Sequence, residues 1–299
     1  MASGDILLYV LNGLYYATIL YLVSLGLSLS FGVLNLLNMS HASFLGLGAY
    51  IAASTATIAL GYLDSAWVSM AVILFVTPGI TVIIAAVFER TVFAPLFDID
   101  DTYQLLATFG LVLMLEDAMQ FIWGSSPISV SGPLELFGQV SIFGSTYPVY
   151  NLFVISLFVV TAIIPFLLFN RTKLGKIAQA MAEDEEMVEA LGLNVTRVRL
   201  VVFSVATGSA GLAGALMMPL ASATPGLSIE YILLAFAVVV IGGLGSLRGA
   251  IVGSLLIGLI RSFGIAYFPQ IELAIVFVIM AAIIFVKPEG LYGGSGVLK

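Results

Sequence analysis

RTKLGKIAQAMAEDEEMVEALGLNVTRVR, running from Arg171 to Arg199, holds 10 of the chain's 27 charged side chains in 29 residues. On either side lie the apolar runs Leu152–Phe169 and Leu200–Leu220, each near the ~20 residues that a helix needs to cross a bilayer core. A segment this charged belongs in water, so the runs beside it read as membrane-crossing helices. Inside it, Ile177, Met181, Val188 and Leu191 recur at helical spacing, and Glu183, Glu185, Glu186 and Glu189 fall around the rest of the turn. This pattern predicts a short amphipathic helix lying along the membrane surface. Gly192 is its expected C-terminal cap. The same residues also fit a solvated connector with no partner.

The whole chain has the composition that the central stretch implies. Of 299 residues, 61% are hydrophobic and 9% charged, and the mean hydropathy is +1.16. These values describe an all-α polytopic membrane protein. With no cysteine and one histidine, disulfide frameworks, thiolate metal sites and most histidine chemistry are excluded. A net charge of −7 disfavours nucleic acid, which selects basic surfaces. The N-terminal MASGDILLYV carries Asp5 where a signal peptide has basic residues. Its apolar run is therefore expected to remain as a spanning helix.

Hydropathy places spans at about 6–31, 41–60, 66–88, 103–123, 149–169, 199–220, 229–244, 249–266 and 269–286. That makes roughly nine, within a range of eight to ten. The chain then divides into N-terminal helices (1–169), a coupling loop (170–199) and C-terminal helices (200–299), all in one membrane domain. Lys and Arg gather in short cytoplasmic loops. Arg90, the cluster in the central loop, Arg248, Lys287 and Lys299 all fall on one side of a nine-span topology, whereas loops 61–65, 124–148 and 221–228 contain neither residue. The central loop and C-terminus are thus expected in the cytoplasm and the N-terminus outside. Arg261 alone departs from this pattern. The loop Gly124–Pro148 alternates apolar and polar residues between Gly and Pro, which predicts extended or hairpin structure.

Two places interrupt the spans: Asn35, Asn38, Ser40 and His41 before the second, and Gly242, Gly243, Gly245, Ser246, Arg248 and Gly249 before the eighth. Paired interruptions in two halves of a transporter point toward its path, which makes Asn38, His41, Gly243, Gly245 and Arg248 candidates and suggests two related halves. Each break also reads as a tight turn. His41 either lines a path or titrates as a switch, or it caps and hydrogen-bonds locally. Glu116 and Asp117 lie within the fourth apolar run, where ionisable groups are costly and point to function, which adds Glu116 to the path candidates. Arg261 is their expected partner, with snorkelling toward Trp123 as the alternative. Rows of small residues, Ser204/Gly208, Ala206/Ala210/Gly214, Gly249/Gly253 and Ser254/Gly258, predict close helix packing, within the chain or against a second subunit.

GKIAQAMAEDEEMVEALGLNVTRV, FSVATGSAGLAGALMMPL, AFAVVVIGGLGSLRGAIVGSLLIGL and, upstream, FGVLNLLNMSHASFLGLGAY resemble the LivH-type permease of branched-chain amino acid ABC importers. The matches spread from about Tyr16 to Pro288. The resemblance implies a permease subunit that works with cytoplasmic ATPase subunits, a second permease of the same family and an external solute-binding protein. The substrates it implies are branched-chain or other amino acids, or a related small polar solute. It implies further that Lys176, Ile177, Met181, Glu183, Asp184, Glu186, Val188 and Leu191 form the element that docks on an ATPase subunit, and that loop 124–148 belongs to the face meeting the binding protein. ATP would be bound by the partner subunits, since no GxxxxGK[ST] loop occurs in this chain. No other cofactor and no enzymatic role is expected. After His41 the family commonly shows Gly and then an acidic residue, but Ala42 and Ser43 stand here. The role of that carboxylate does not carry over. The rival reading is an ion-coupled secondary transporter working through Glu116 and Asp117. GGSG at Gly293–Gly296 has no following helix to hold Ser295 and is set aside as a serine-protease motif.

Overall fold

The computed structural model describes residues 3–63, 65–97, 99–142 and 144–293; Ser295 and Lys299 lie outside them. α1 (Ser3–Leu34) is followed by a 3-10 turn at Met39–Ala42 and by α2 (Ser43–Leu63). α3 (Ala66–Ala71) and α4 (Thr77–Phe88) belong to one span, Ala66–Leu96, interrupted by π-helical turns at Val72–Val76 and Glu89–Phe93. α5 (Asp101–Trp123), the short α6 (Gly132–Phe137) and a hairpin of β1 (Gln139–Ile142) and β2 (Ser145–Pro148) come next. α7 (Val149–Arg171), α8 (Lys173–Glu183), α9 (Glu185–Ala190), α10 (Val195–Met217), α11 (Leu227–Gly242), α12 (Leu247–Tyr267) and α13 (Glu272–Val286) complete the order. Among the described residues, seven spans are long and apolar enough to cross a membrane, and α11 and α13 are shorter apolar helices. Together they occupy the nine stretches expected from hydropathy.

Side chains set several of these starts. The Asp100 carboxylate accepts from the Thr102 N–H at 3.0 Å, Asn194 from Arg197 at 2.8 Å and Ser246 from Gly249 at 3.0 Å. Each satisfies one of the N–H groups that a helix start leaves free.

α1 is the centre of the bundle. It is buried along most of its length and packs against α12, α10, α11 and α7, while α2 packs against α10. The small-residue rows explain how the helices come so close. A Cβ on Gly258 of α12 would sit 2.5 Å from the Gly13 carbonyl oxygen of α1, and one on Gly253 would sit 2.5 Å from that of Val238 in α11. Gly214 of α10 abuts the Leu45 backbone in the same way. The rows therefore serve contacts inside this chain. The Ala66–Leu96 span, α5 and α7 lie at the periphery and turn Phe75, Ile83, Leu106, Phe121 and Ile163 outward. In water such faces would be a liability; in lipid they are the expected coat.

Charge and topology agree at the two ends. The loops that lack Lys and Arg converge: Ile128 and Ala223 exchange backbone hydrogen bonds at 3.1 and 2.8 Å, and Gly132 lies against Leu60 of α2. The expected hairpin is present, with Gln139 opposite Pro148 and Ile142 opposite Ser145. At the other end Arg199 lies over the Phe97 ring and Arg248 near that of Phe166, and Gly245 packs on Gly32 at the end of α1.

Candidate functional site

The charged loop folds as two helices where the sequence pattern gives one. α8 begins at Thr172, whose hydroxyl accepts from the Gly175 N–H at 3.1 Å. It ends at Asp184, which leaves helical geometry (φ −156°, ψ 95°) and caps α9 by accepting from Met187 at 2.9 Å. A side chain that bonds its own downstream backbone competes with helix continuation, and here it wins. α9 closes as foreseen: Gly192 takes φ +76°, its N–H bonds the Glu189 carbonyl and the Leu193 N–H bonds that of Val188. This pair of hydrogen bonds over a left-handed glycine satisfies two of the carbonyls at the helix end.

The apolar stripe divides in a way that spacing alone does not reveal. Met181 and Val188, expected as anchors for a partner, are buried at 2% and 3% exposure in the chain's own core. They fasten the loop to the bundle and are not free to dock. Ile177 is half-buried beside Leu174, Leu193 and Arg197. Leu191 is 71% exposed and Met187 56% exposed, and Lys176, Glu183, Asp184 and Glu186 are exposed around them. Arg199 of α10 pairs with Glu185 at the start of α9, which ties the loop to the helix that follows it. Gln179 donates to the Phe169 carbonyl at 3.0 Å, which ties it to the helix before.

The interruptions prove to be packed turns. Asn38 and His41 are fully buried. The Ser40 hydroxyl donates to Asn38 Oδ1 at 2.7 Å, and His41 Nε2 lies 3.1 Å from the Val23 carbonyl oxygen in mid-α1. The Met39 N–H reaches the Thr108 hydroxyl of α5 at 3.2 Å. Gly243 and Gly245 turn the chain between α11 and α12. The Leu291 and Tyr292 N–H groups close the end of α11 by donating to the Ile241 and Gly242 carbonyls, both at 2.8 Å. Arg248 lies on the surface.

The expected pairing of Arg261 with Glu116 and Asp117 does not occur. Arg261 pairs with Glu230 of α11, and its Nε lies 3.7 Å from Glu272 of α13. Glu116 instead accepts from the Gly226 N–H at 2.9 Å, at the start of α11, and Asp117 is exposed. A helix start offers a free N–H and positive dipole nearby; Glu116 Oε2 takes that N–H, while its Oε1 is buried without a hydrogen-bond partner among the described residues.

Around Arg261 two adjoining cavities open at the Lys- and Arg-poor end, with Tyr15, Tyr16 and Leu220 common to both walls. One, of about 330 Å³, reaches Asn12 and Ser262. The other, of about 240 Å³, is lined further by Met217, Leu227, Glu230 and Arg261. The guanidinium carbon sits 5.2 Å from the Tyr16 ring centre and 6.0 Å from that of Tyr231. Tyr15, Glu230 and Glu272 carry only a slight signal in the sequence: Glu230 and Glu272 are lone charges in the first turns of apolar helices.

Residues 9–286 match the family described as "Branched-chain amino acid transport system / permease component". The chain belongs to this family of membrane permeases. It is 28% identical to the high-affinity branched-chain amino acid transport system permease protein BraD of Pseudomonas aeruginosa, over 96% of each chain. Against the probable branched-chain amino acid transport permease protein LivH of Methanocaldococcus jannaschii the identity is 26%, over 94% of this chain and 91% of that one. The ribose import permease protein RbsC of Escherichia coli is 25% identical over 62% of this chain and 60% of its own length.

Proposed function

We propose that this chain is the membrane-spanning subunit of an ATP-driven importer of amino acids, branched-chain ones foremost, and that it works with cytoplasmic ATPase subunits, a second permease and an external binding protein. The observation that supports this most is the match over residues 9–286. The names of two relatives, matched over more than nine-tenths of this chain, support the solute class. The exposed edge of α9 supplies a surface for the ATPase: an apolar tip, Met187 and Leu191, set among carboxylates, on a two-helix element tied to α7 and α10. Apolar anchors on a short helix are how such elements seat in a groove. The Lys- and Arg-rich end then faces the cytoplasm, and the loops joined at Ile128 and Ala223 face the binding protein.

The test is reconstitution of the chain with candidate ATPase and binding-protein partners in proteoliposomes, measuring radiolabelled leucine uptake. Uptake that requires ATP and survives collapse of ion gradients is expected. Uptake that follows an ion gradient without ATP, and is lost in Glu116→Gln or Asp117→Asn, would reverse the reading in favour of a secondary transporter.

A further inference from the structure

We propose that the cavity around Arg261 is a contact site for the zwitterionic head of an α-amino acid entering the permease, a role that rests on the importer reading above. Two buried polar atoms of the wall lead there. Arg261, 8% exposed, is fixed by Glu230 and Glu272, yet its Nη1 is buried without a hydrogen-bond partner among the described residues. The Tyr15 hydroxyl, on the same wall, is also buried without one. Polar atoms left in that state are costly, and a ligand that bonds them recovers the cost.

Charge fixes which ligand. One guanidinium against two carboxylates leaves one negative charge in excess, which an ammonium group balances, and Glu230, with its side chain 42% exposed, is the carboxylate within reach of it. The unused guanidinium nitrogen and the Tyr15 hydroxyl are donors for a carboxylate. Met217 and Leu227 beside them are apolar, suited to an aliphatic side chain. Both cavities far exceed the ~10–15 Å³ that one water needs. A simple amine fits half of this wall and a simple acid fits the other half; an amino acid fits both.

The experiment is saturation-transfer NMR on the purified full-length permease in nanodiscs, a method that registers weak contacts. The probes are L-leucine, leucinamide, which lacks the carboxylate, and 4-methylpentanoate, which lacks the ammonium. Wild-type protein is expected to give a leucine signal at least threefold above either truncated probe. Arg261→Gln should bring leucine down to the leucinamide level. If Arg261→Gln fails to fold, Tyr15→Phe decides: it removes an oxygen that bonds none of the described residues, so it should keep the wild-type melting curve while weakening the leucine signal about threefold. Equal signals from the three probes, or a leucine signal unchanged in Tyr15→Phe, overturns the site and identifies the ion cluster as structural. ATP-driven leucine uptake by the wild-type permease reconstituted with its ATPase and binding-protein partners in proteoliposomes separates the two claims. Uptake without leucine contact sinks the site and leaves the importer standing, whereas absence of uptake for any amino acid sinks the importer reading and the proposed site with it.

Discussion

Arg199 in the first turns of α10 pairs with Glu185 at the start of α9, and its guanidinium carbon lies 4.3 Å from the centre of the Phe97 ring. One side chain thus joins the charged loop, the long helix after it and the segment before α5. The two side chains are 20% and 35% exposed, so the pair contributes little stability, on the order of 0.5–1 kcal/mol. Its weight lies in where it holds α9. In Arg199→Ala the melting temperature in detergent is expected to change little, while the number of solute molecules moved per ATP in the reconstituted complex falls. A ratio equal to wild type would show that α9 is positioned without this contact.

Asp100 supplies a pH dependence that can be isolated. Its carboxylate caps α5, and the hydrogen bonds from Thr102 hold it below the usual carboxylate range. Because the folded value is the lower one, its contribution is fully present above the unfolded value near pH 4 and is lost as pH falls through the folded one. Asp100→Asn keeps an oxygen to accept the bond but cannot titrate. Melting curves between pH 6 and pH 3 should show wild type ahead at the upper end and the gap closing toward the lower. A gap that is constant with pH would contradict this.

Tyr150, fully buried in the first turn of α7, donates to the Leu216 carbonyl of α10 at 2.7 Å. That carbonyl is one of the last four of its helix, which have no acceptor role inside it. Tyr150→Phe leaves it buried and unbonded, at a cost of about 1–3 kcal/mol. A lowered melting temperature is expected, with the hairpin end loosening first in hydrogen exchange. An unchanged melting temperature would mean that water reaches the carbonyl.

The positions of the membrane helices were legible because length and apolarity are the whole signal in a bilayer. The cap at Gly192 was legible because a left-handed residue there strongly favours glycine. The break at Asp184 was hidden, since Asp within a run of carboxylates looks like helix surface until its side chain is seen bonding Met187. Partners across the fold were hidden for a different reason. Charge counting offered Arg261 a choice of acidic residues, and only the packing of α11 and α13 against α12 decides for Glu230 and Glu272. The cavity beside them depends on Tyr15 and Tyr16 of α1, which no motif or spacing in the sequence marks.

The same limit separates the residues of α8 and α9 that hold the loop from those free to meet a partner, and substitution can tell them apart. Met181 and Val188 face the bundle, so an Asp at either position buries a carboxylate without a partner and should lower the permease's own melting temperature sharply. Met187 and Leu191 face outward at 56% and 71% exposure, so Met187→Asp and Leu191→Asp should leave the melting curve within about 0.5 kcal/mol of wild type. They should nonetheless cost most of the co-purifying ATPase, because apolar anchors at the centre of an interface dominate its energy. Pull-down and melting measured on the same four variants give the comparison. Retention of the ATPase by both outward variants would move the docking surface away from α9, with the exposed Lys173 and Lys176 at the start of α8 the next residues to substitute.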